Sequence, residues 1–200
     1  YKRQANNTAI GYGALTANTT GTRVIAVGMN ALASNTTAND NVAVGNNVLD
    51  ANTTGTANVG VGYFVLSDNT TASNNTGLGH KALAANTTGG NNTAVGRNAL
   101  DANTTGTHNT AIGDQALTDS STGTENVALG HASLFENTTG DNNTAVGTES
   151  LRNNLTADNN TAVGHSALKA NTTGEKNVAV GAFTLDANVT HQRNTAVGYN

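Results

Sequence analysis

The feature that most constrains the fold is a glycine that recurs at every seventeenth residue of the chain. In NTAVGRNALDANTTGTH, residues 92–108, and again in residues 109–125, this marker glycine follows a short Thr-Ala-aliphatic segment. The marker glycines are Gly11, Gly28, Gly45, Gly62, Gly79, Gly96, Gly113, Gly130, Gly147, Gly164, Gly181 and Gly198. A fixed period of this length predicts a solenoid, in which each repeat completes its core by stacking on its neighbours.

The repeat favours strands over helices. No interval between marker glycines departs from 17 residues, as expected of a coil that forms ladder contacts with both neighbours. The repeat is short for a helical hairpin, and its Asn and Thr residues compete for helix hydrogen bonds. We therefore predict an all-β fold, a parallel β-solenoid (β-roll) of about twelve 17-residue turns. At the spacing of strands it would be on the order of 55 Å long.

The repeat runs through the whole chain, so we predict a single repeat domain, residues 1–200. Residues 1–6 are predicted to be a partial or capping turn, because Lys2 and Arg3 stand where other copies have Thr. The chain begins at Tyr1 without Met, and we expect it to be a segment of a longer protein.

Two apolar positions of the repeat are predicted to form the structural core. The residue before the marker glycine is aliphatic in all twelve copies, and a leucine follows the glycine by four residues in all eleven complete copies. We place both inside the coil, the leucine on a second strand. The core residues predicted in this way include Val95, Leu100, Ile112, Leu117, Val146 and Leu151.

An Ala or Gly always precedes that aliphatic residue. Because strand side chains alternate between faces, this small residue is predicted to point outwards. A face restricted to Ala and Gly suggests that another backbone packs closely against it, so we predict an interface between chains there. Its residues include Ala94, Ala111, Ala128 and Ala145.

Composition excludes several functions. The formal net charge is -4, and acidic residues outnumber basic ones, so nothing indicates a nucleic-acid partner. The chain has no Cys, and it contains no apolar run long enough to insert into a membrane. We predict no cofactor.

An Asn stands just before the predicted strand in eleven of twelve copies, with Val24 as the exception. Stacked Asn side chains can pass amide hydrogen bonds from turn to turn, which predicts a structural ladder. Calcium ligation is disfavoured because acidic residues never occupy this position.

A second Asn opens the NTT triplet that follows the leucine. The middle residue changes to Leu155 or Val189 while the final Thr stays, a pattern that both a turn and an N-glycosylation sequon tolerate. Ser120 replaces the Asn without breaking the period, which favours the turn. The sites open to glycosylation on this interpretation are Asn18, Asn35, Asn52, Asn69, Asn86, Asn103, Asn137, Asn154, Asn171 and Asn188.

Catalysis, metal binding and ice binding have little support. His80, His131 and His165 share the position after the marker glycine, but Tyr, Arg, Asp and Thr occur there in other copies, so we predict no metal or catalytic site. An additional Thr column that would extend an ice-binding array is patchy.

The pattern NTAVGxxALxxNTTG resembles the head repeats of YadA-like trimeric autotransporter adhesins and the shaft repeats of related phage and marine bacterial tail-fibre proteins. The resemblance covers nearly the whole chain, although the adhesin repeat is shorter than 17 residues. It implies a left-handed parallel β-roll, three chains side by side and an extracellular location.

We therefore expect a structural repeat module of an extracellular fibre, adhesin or filament, and not an enzyme. Its expected partner is itself, as a homotrimer or an end-to-end filament. Two alternatives stay open: a filament subunit that carries N-glycans on the NTT row, and a module that binds a host glycan or receptor. The aromatic side chains of the second alternative are Tyr12, Tyr63, Phe64, Phe183 and Tyr199.

Overall fold

The computed structural model describes residues 6–199, and over this range the chain is a parallel β-solenoid. Twelve strands form one sheet in sequence order, each paired in parallel with the strand 17 residues further on. The strands are β1 (Thr8–Ile10), β2 (Ile25–Val27), β3 (Val42–Val44), β4 (Val59–Tyr63), β5 (Thr76–His80), β6 (Thr93–Val95), β7 (Thr110–Ile112), β8 (Val127–Leu129), β9 (Thr144–Val146), β10 (Thr161–Val163), β11 (Val178–Val180) and β12 (Thr195–Val197). The predicted fold class is confirmed.

We number the positions of a coil 1 to 17 so that position 1 is the Asn before the strand and position 5 is the marker glycine. Position 3 of one strand pairs with position 3 of the next, as Ala94 does with Ala111. Outside the strand the ladder continues, since the Leu100 amide donates to the Ala116 carbonyl at 3.0 Å. Nearly every part of a coil is thus bonded to its neighbours, which explains why no repeat changes length. Of the predicted capping turn, residues 1–5 lie outside the described part of the chain.

Position 5 has to be glycine for two reasons. Its φ lies between +126° and +147°, a region that L side chains rarely adopt. A Cβ on Gly113 would also meet the carbonyl group of Gly130 in the next coil, at 2.5 Å from the oxygen. Backbone therefore passes over backbone at this corner.

The second predicted strand is wrong. The leucines lie in a turn, and their φ is positive, from 49° at Leu151 to 55° at Leu83. Positions 7 and 17 also have positive φ among the described residues, and the sequence places no Val, Ile or Thr at any of these three positions. β-branched side chains are strained in this conformation, so the pattern is a physical requirement of the turns.

The core is narrow, and half of its predicted residues are misplaced. Leu100, Leu117 and Leu151 are fully buried, as predicted. Val95 and Val146 are only half-buried, however, and Ile112 is 38% exposed. The prediction that these three residues lie inside the coil is wrong, because their side chains point to the outer face of the sheet.

Ala94, Ala111, Ala128 and Ala145 are fully buried, so the prediction that they form an external interface is also wrong. They face the coil's own leucine side, together with the small residue at position 8, such as Ala99 or Ala116. At Gly77, which occupies the same position in β5, an added Cβ would lie 2.5 Å from Val65 Cγ1 and 3.4 Å from the Ala82 carbonyl oxygen, both on the leucine side. The sheet and the leucine wall leave room for a methyl group only.

Candidate functional site: the outer face of the sheet

The outer face of the sheet is the main candidate surface, and it consists of positions 2 and 4 of every coil. We call these two columns the aliphatic face. Position 4 is Val, Ile or Leu in all twelve coils, and position 2 is Thr, Val or Ile. No charged residue occurs at these positions in any of the twelve strands. Along most of the sheet, from Ile25 to Val180, the side chains are half-buried or exposed.

Charged side chains flank this face on both sides. Position 17 carries Arg23 and Asp40, which form a bidentate ion pair between neighbouring coils with an Nε–Oδ1 distance of 2.5 Å. Position 6 carries Arg97 and Asp114, whose Nε and Oδ1 atoms are 3.0 Å apart. These pairs are well exposed, so they contribute little to stability. Charge is therefore present beside the aliphatic face and excluded from it.

The Asn column at position 1 is a structural ladder, as predicted. Asn92 is fully buried, its Nδ2 donates to the Gly106 carbonyl at 2.9 Å, and its Oδ1 accepts the backbone N–H of Asn109 at 2.9 Å. The same pair of bonds recurs from Asn41 to Asn177. Each amide thus joins two sides of its own coil and links that coil to the next.

The second Asn column, at position 12, forms another ladder inside the coil. The Nδ2 of Asn86 donates to Asn69 Oδ1 at 2.8 Å and to the Gly89 carbonyl at 2.9 Å. The corresponding Asn residues from Asn18 to Asn171 are buried, and Asn188 at the last turn is half-buried. A sugar on Nδ2 would replace a proton that the ladder uses and would fill a packed interior. The interpretation of this row as glycosylation sites therefore does not fit the folded coil.

The threonine ladder runs through the middle residue of the triplet. Thr87 Oγ1 donates to the Thr104 carbonyl of the next coil at 2.9 Å, and the other middle threonines do the same. The final Thr, for example Thr105, is exposed in every coil. The sequence pattern did not distinguish these two roles, because both threonines recur.

The position 12 ladder is interrupted at Ser120. This shorter side chain is buried, and its Oγ has no hydrogen-bond partner. Asn103 Oδ1, one coil before, is also buried and without a partner, and Asn137 Nδ2, one coil after, bonds only to the Gly140 carbonyl. The gap leaves two unsatisfied polar atoms in the core, each of which costs free energy.

The aromatic side chains gather at two places. Tyr63 packs edge-on against Phe64, with ring centroids 4.6 Å apart, and stacks on His80 at 5.5 Å. Near the end of the chain Phe183 contacts His165 and Tyr199 at 4.9 and 5.9 Å. Tyr12 is 85% exposed. The structure therefore brings four of the five aromatic residues of the binding hypothesis into two clusters.

The histidines do not form a metal site. In residues 6–199 no group of three His, Asp or Glu side chains is arranged to hold a metal ion. His131 Nε2 lies 3.9 Å from Asp114 Oδ2, both of them well exposed. The same residues include no helix that is both long and apolar enough to cross a bilayer.

One signal in the sequence does identify the inward face. Position 3 is Gly only at Gly60 and Gly77, and position 8 is Val only at Val48 and Val65, twelve residues earlier in each case. A Cβ on either glycine would lie 2.5 Å from the Cγ1 of that valine. The paired changes show that positions 3 and 8 share one interior space.

In comparisons with known proteins, no family model, curated protein or solved structure matches this chain.

Proposed function

We propose that this chain is a rigid structural module of an extracellular fibre or adhesin, and that copies associate side by side through the aliphatic face as a homotrimer. The observation that carries the proposal is the uncharged, partly exposed double column along twelve strands. The stacked ladders supply stiffness, and the variable positions outside that face remain available for contact with other surfaces.

The energetics favour covering the aliphatic face. Completing the burial of a Val or Ile that is about one third exposed is worth about 0.5–1 kcal/mol, given roughly 1.5–3 kcal/mol for full burial of such a side chain. Because the columns repeat in every coil, these small gains add along the whole sheet. Position 4 gives an unbroken aliphatic column, and position 2 adds Val or Ile in five coils. Monomeric proteins seldom expose large contiguous apolar patches.

The face also has the shape that association requires. Positions 2 and 4 project from one regular sheet in strict register, as Val95 and Ile112 do on neighbouring strands. A second copy can therefore meet it with an equally regular surface. The number of three chains and the extracellular location come from the resemblance to trimeric adhesin heads and fibre shafts.

The other functions have less support. Burial of the position 12 Asn residues removes the basis for a filament coated with N-glycans on the NTT row. End-to-end growth would pair the edge strands β1 and β12 of successive copies, and it is distinguishable from lateral association by its open-ended mass.

The test places a charge on the aliphatic face. We expect Ile112→Lys combined with Val146→Lys to convert the trimer to monomer in sedimentation velocity runs. In a single chain both side chains already contact solvent, so the substitutions should not disturb the fold. The circular dichroism spectrum of the variant should remain that of a β-protein. Assembly would bury the two lysine ammonium groups without a partner of opposite charge, which is strongly unfavourable.

The matched control is Thr148→Lys combined with Gln115→Lys, at positions 6 and 7, where other coils carry Arg97 and Lys81. It adds the same charge outside the aliphatic face and should leave the trimer intact. Dissociation by the control, or a trimer that survives the face variant, would contradict the proposed interface.

A further inference from the structure

The strongest departure from the repeat lies in coils 4 to 6, where several unusual residues meet. Only β4 and β5 among the described strands extend to five residues, ending at Tyr63 and His80. The aromatic pair Tyr63–Phe64 occupies positions 6 and 7, where most coils have polar residues. In a scaffold of near-identical coils, a local cluster of departures marks the place where a specific function can be added.

A groove runs beside this aromatic pair. It has a volume of about 660 Å³, within the usual range for small-molecule sites. Tyr63 and Phe64 form one wall, and the small side chains of Ala84, Ala85 and Ala102 line the groove further along. Tyr63 is 46% exposed and Phe64 is half-buried, so both rings are accessible beside the groove.

Charged groups of both signs line the same groove. They are Asp68, Lys81 and Asp101, with the Ser67 hydroxyl among them. Burial raises the pKa of the Asp101 carboxyl, as does the charge of Asp119, and the nearby Lys81 lowers it. Asp101 is thus a partly desolvated carboxylate with Lys81 close enough to act on it.

This set of groups suits a ligand that both donates and accepts hydrogen bonds. Asp68 and Asp101 supply carboxylate oxygens that accept hydrogen bonds, and the Lys81 ammonium supplies donors. A polyhydroxyl compound can donate hydrogen bonds to the carboxylates and accept one from the ammonium. The aromatic wall matches the apolar C–H face of a sugar ring.

We propose that the groove of Tyr63, Phe64, Asp68, Lys81 and Asp101 binds a pyranose ring of a saccharide. The ring lies against Tyr63 and Phe64 and its hydroxyl groups bond to Asp68, Lys81 and Asp101. These residues occupy positions 6, 7, 10 and 11, apart from the aliphatic face at positions 2 and 4. The site therefore does not depend on the proposed lateral association.

Saturation-transfer NMR tests this with three probes: maltose, cellobiose and lactose. We expect transfer from the protein to the C–H protons of at least one probe. Phe64→Asn and Asp101→Ala should each weaken binding about tenfold, which corresponds to the loss of one good contact. Both substitutions install residues that other coils carry at the same positions, Asn98 and Ala84, so the coil should still fold.

The matched control is Phe183→Asn, which makes the same change at position 7 in the second aromatic cluster. It should leave the transfer unchanged. The proposal is overturned if none of the three sugars receives saturation from the unmodified chain, if both groove variants bind the sugar as tightly as the unmodified chain in a titration, or if the Phe183 control weakens binding equally.

Discussion

At the scale of single residues, asparagine supplies much of what large apolar side chains supply in other proteins. In most coils two Asn side chains are buried, and they make hydrogen bonds both within the coil and to a neighbouring coil. Buried amides are tolerated because their donors and acceptors are satisfied. The narrow interior and the polar composition are therefore compatible with a stable coil.

The gap at Ser120 gives a direct test of this role. We expect Ser120→Asn to raise the free energy of unfolding by about 1–2 kcal/mol, because the new amide can donate to Asn103 Oδ1 and accept from Asn137 Nδ2. Thermal and denaturant unfolding would measure the change. The reverse substitution Asn69→Ser, in an intact part of the ladder, should cost a similar amount. A neutral or destabilising Ser120→Asn would show that the ladder does not stabilise the coil.

The residue scale also shows where sequence reasoning reached its limit. Alternation along a strand predicts correctly that Ala94 and Val95 face opposite sides, but it does not say which side is inside. The usual preference of globular cores predicts the larger residue in the interior. In this coil the small residue is inside, because the interior is too narrow for a larger one. Its width is set by contacts between positions 3 and 8, which are distant in sequence.

At the scale of the elements, period and composition predicted the twelve strands, because an invariant spacing permits only in-register stacking. The second strand through the leucines was wrong, since a leucine column is equally compatible with a strand and with a turn. The absence of β-branched residues at positions 7, 9 and 17 is the sequence feature that indicates a left-handed backbone conformation at these positions.

The contact between β4 and the preceding turn gives a prediction at this scale. We expect Gly60→Ala to destabilise the chain by about 1–3 kcal/mol, because its Cβ would lie 2.5 Å from Val48 Cγ1. Val48→Ala alone should also destabilise it, by leaving a cavity. The double variant restores the Ala–Ala pair of other coils. Its free energy of unfolding should lie within about 1 kcal/mol of that of the unmodified chain. Additive costs in this double-mutant cycle, measured by denaturant unfolding, would refute the shared interior space.

At the scale of the whole molecule, the solenoid is a thin rod with charged residues on several positions and an uncharged double column on its sheet. Among residues 6–199, ten of the 16 exposed large hydrophobic side chains lie on this face, for example Ile25, Ile112 and Leu129. A rod that keeps such a stripe exposed in water is less stable than one that covers it. Lateral association, as proposed, would cover this stripe and requires more than one chain.

The native mass of the unmodified chain, measured by light scattering on the purified protein, tests this requirement most directly. We expect a single species with three times the 20.1 kDa mass of one chain, unchanged over a wide range of protein concentration. A stable monomer of 20.1 kDa at micromolar concentration would contradict lateral association through the aliphatic face. Open-ended assemblies whose mass grows with concentration would contradict it as well, and would favour pairing of the sheet edges.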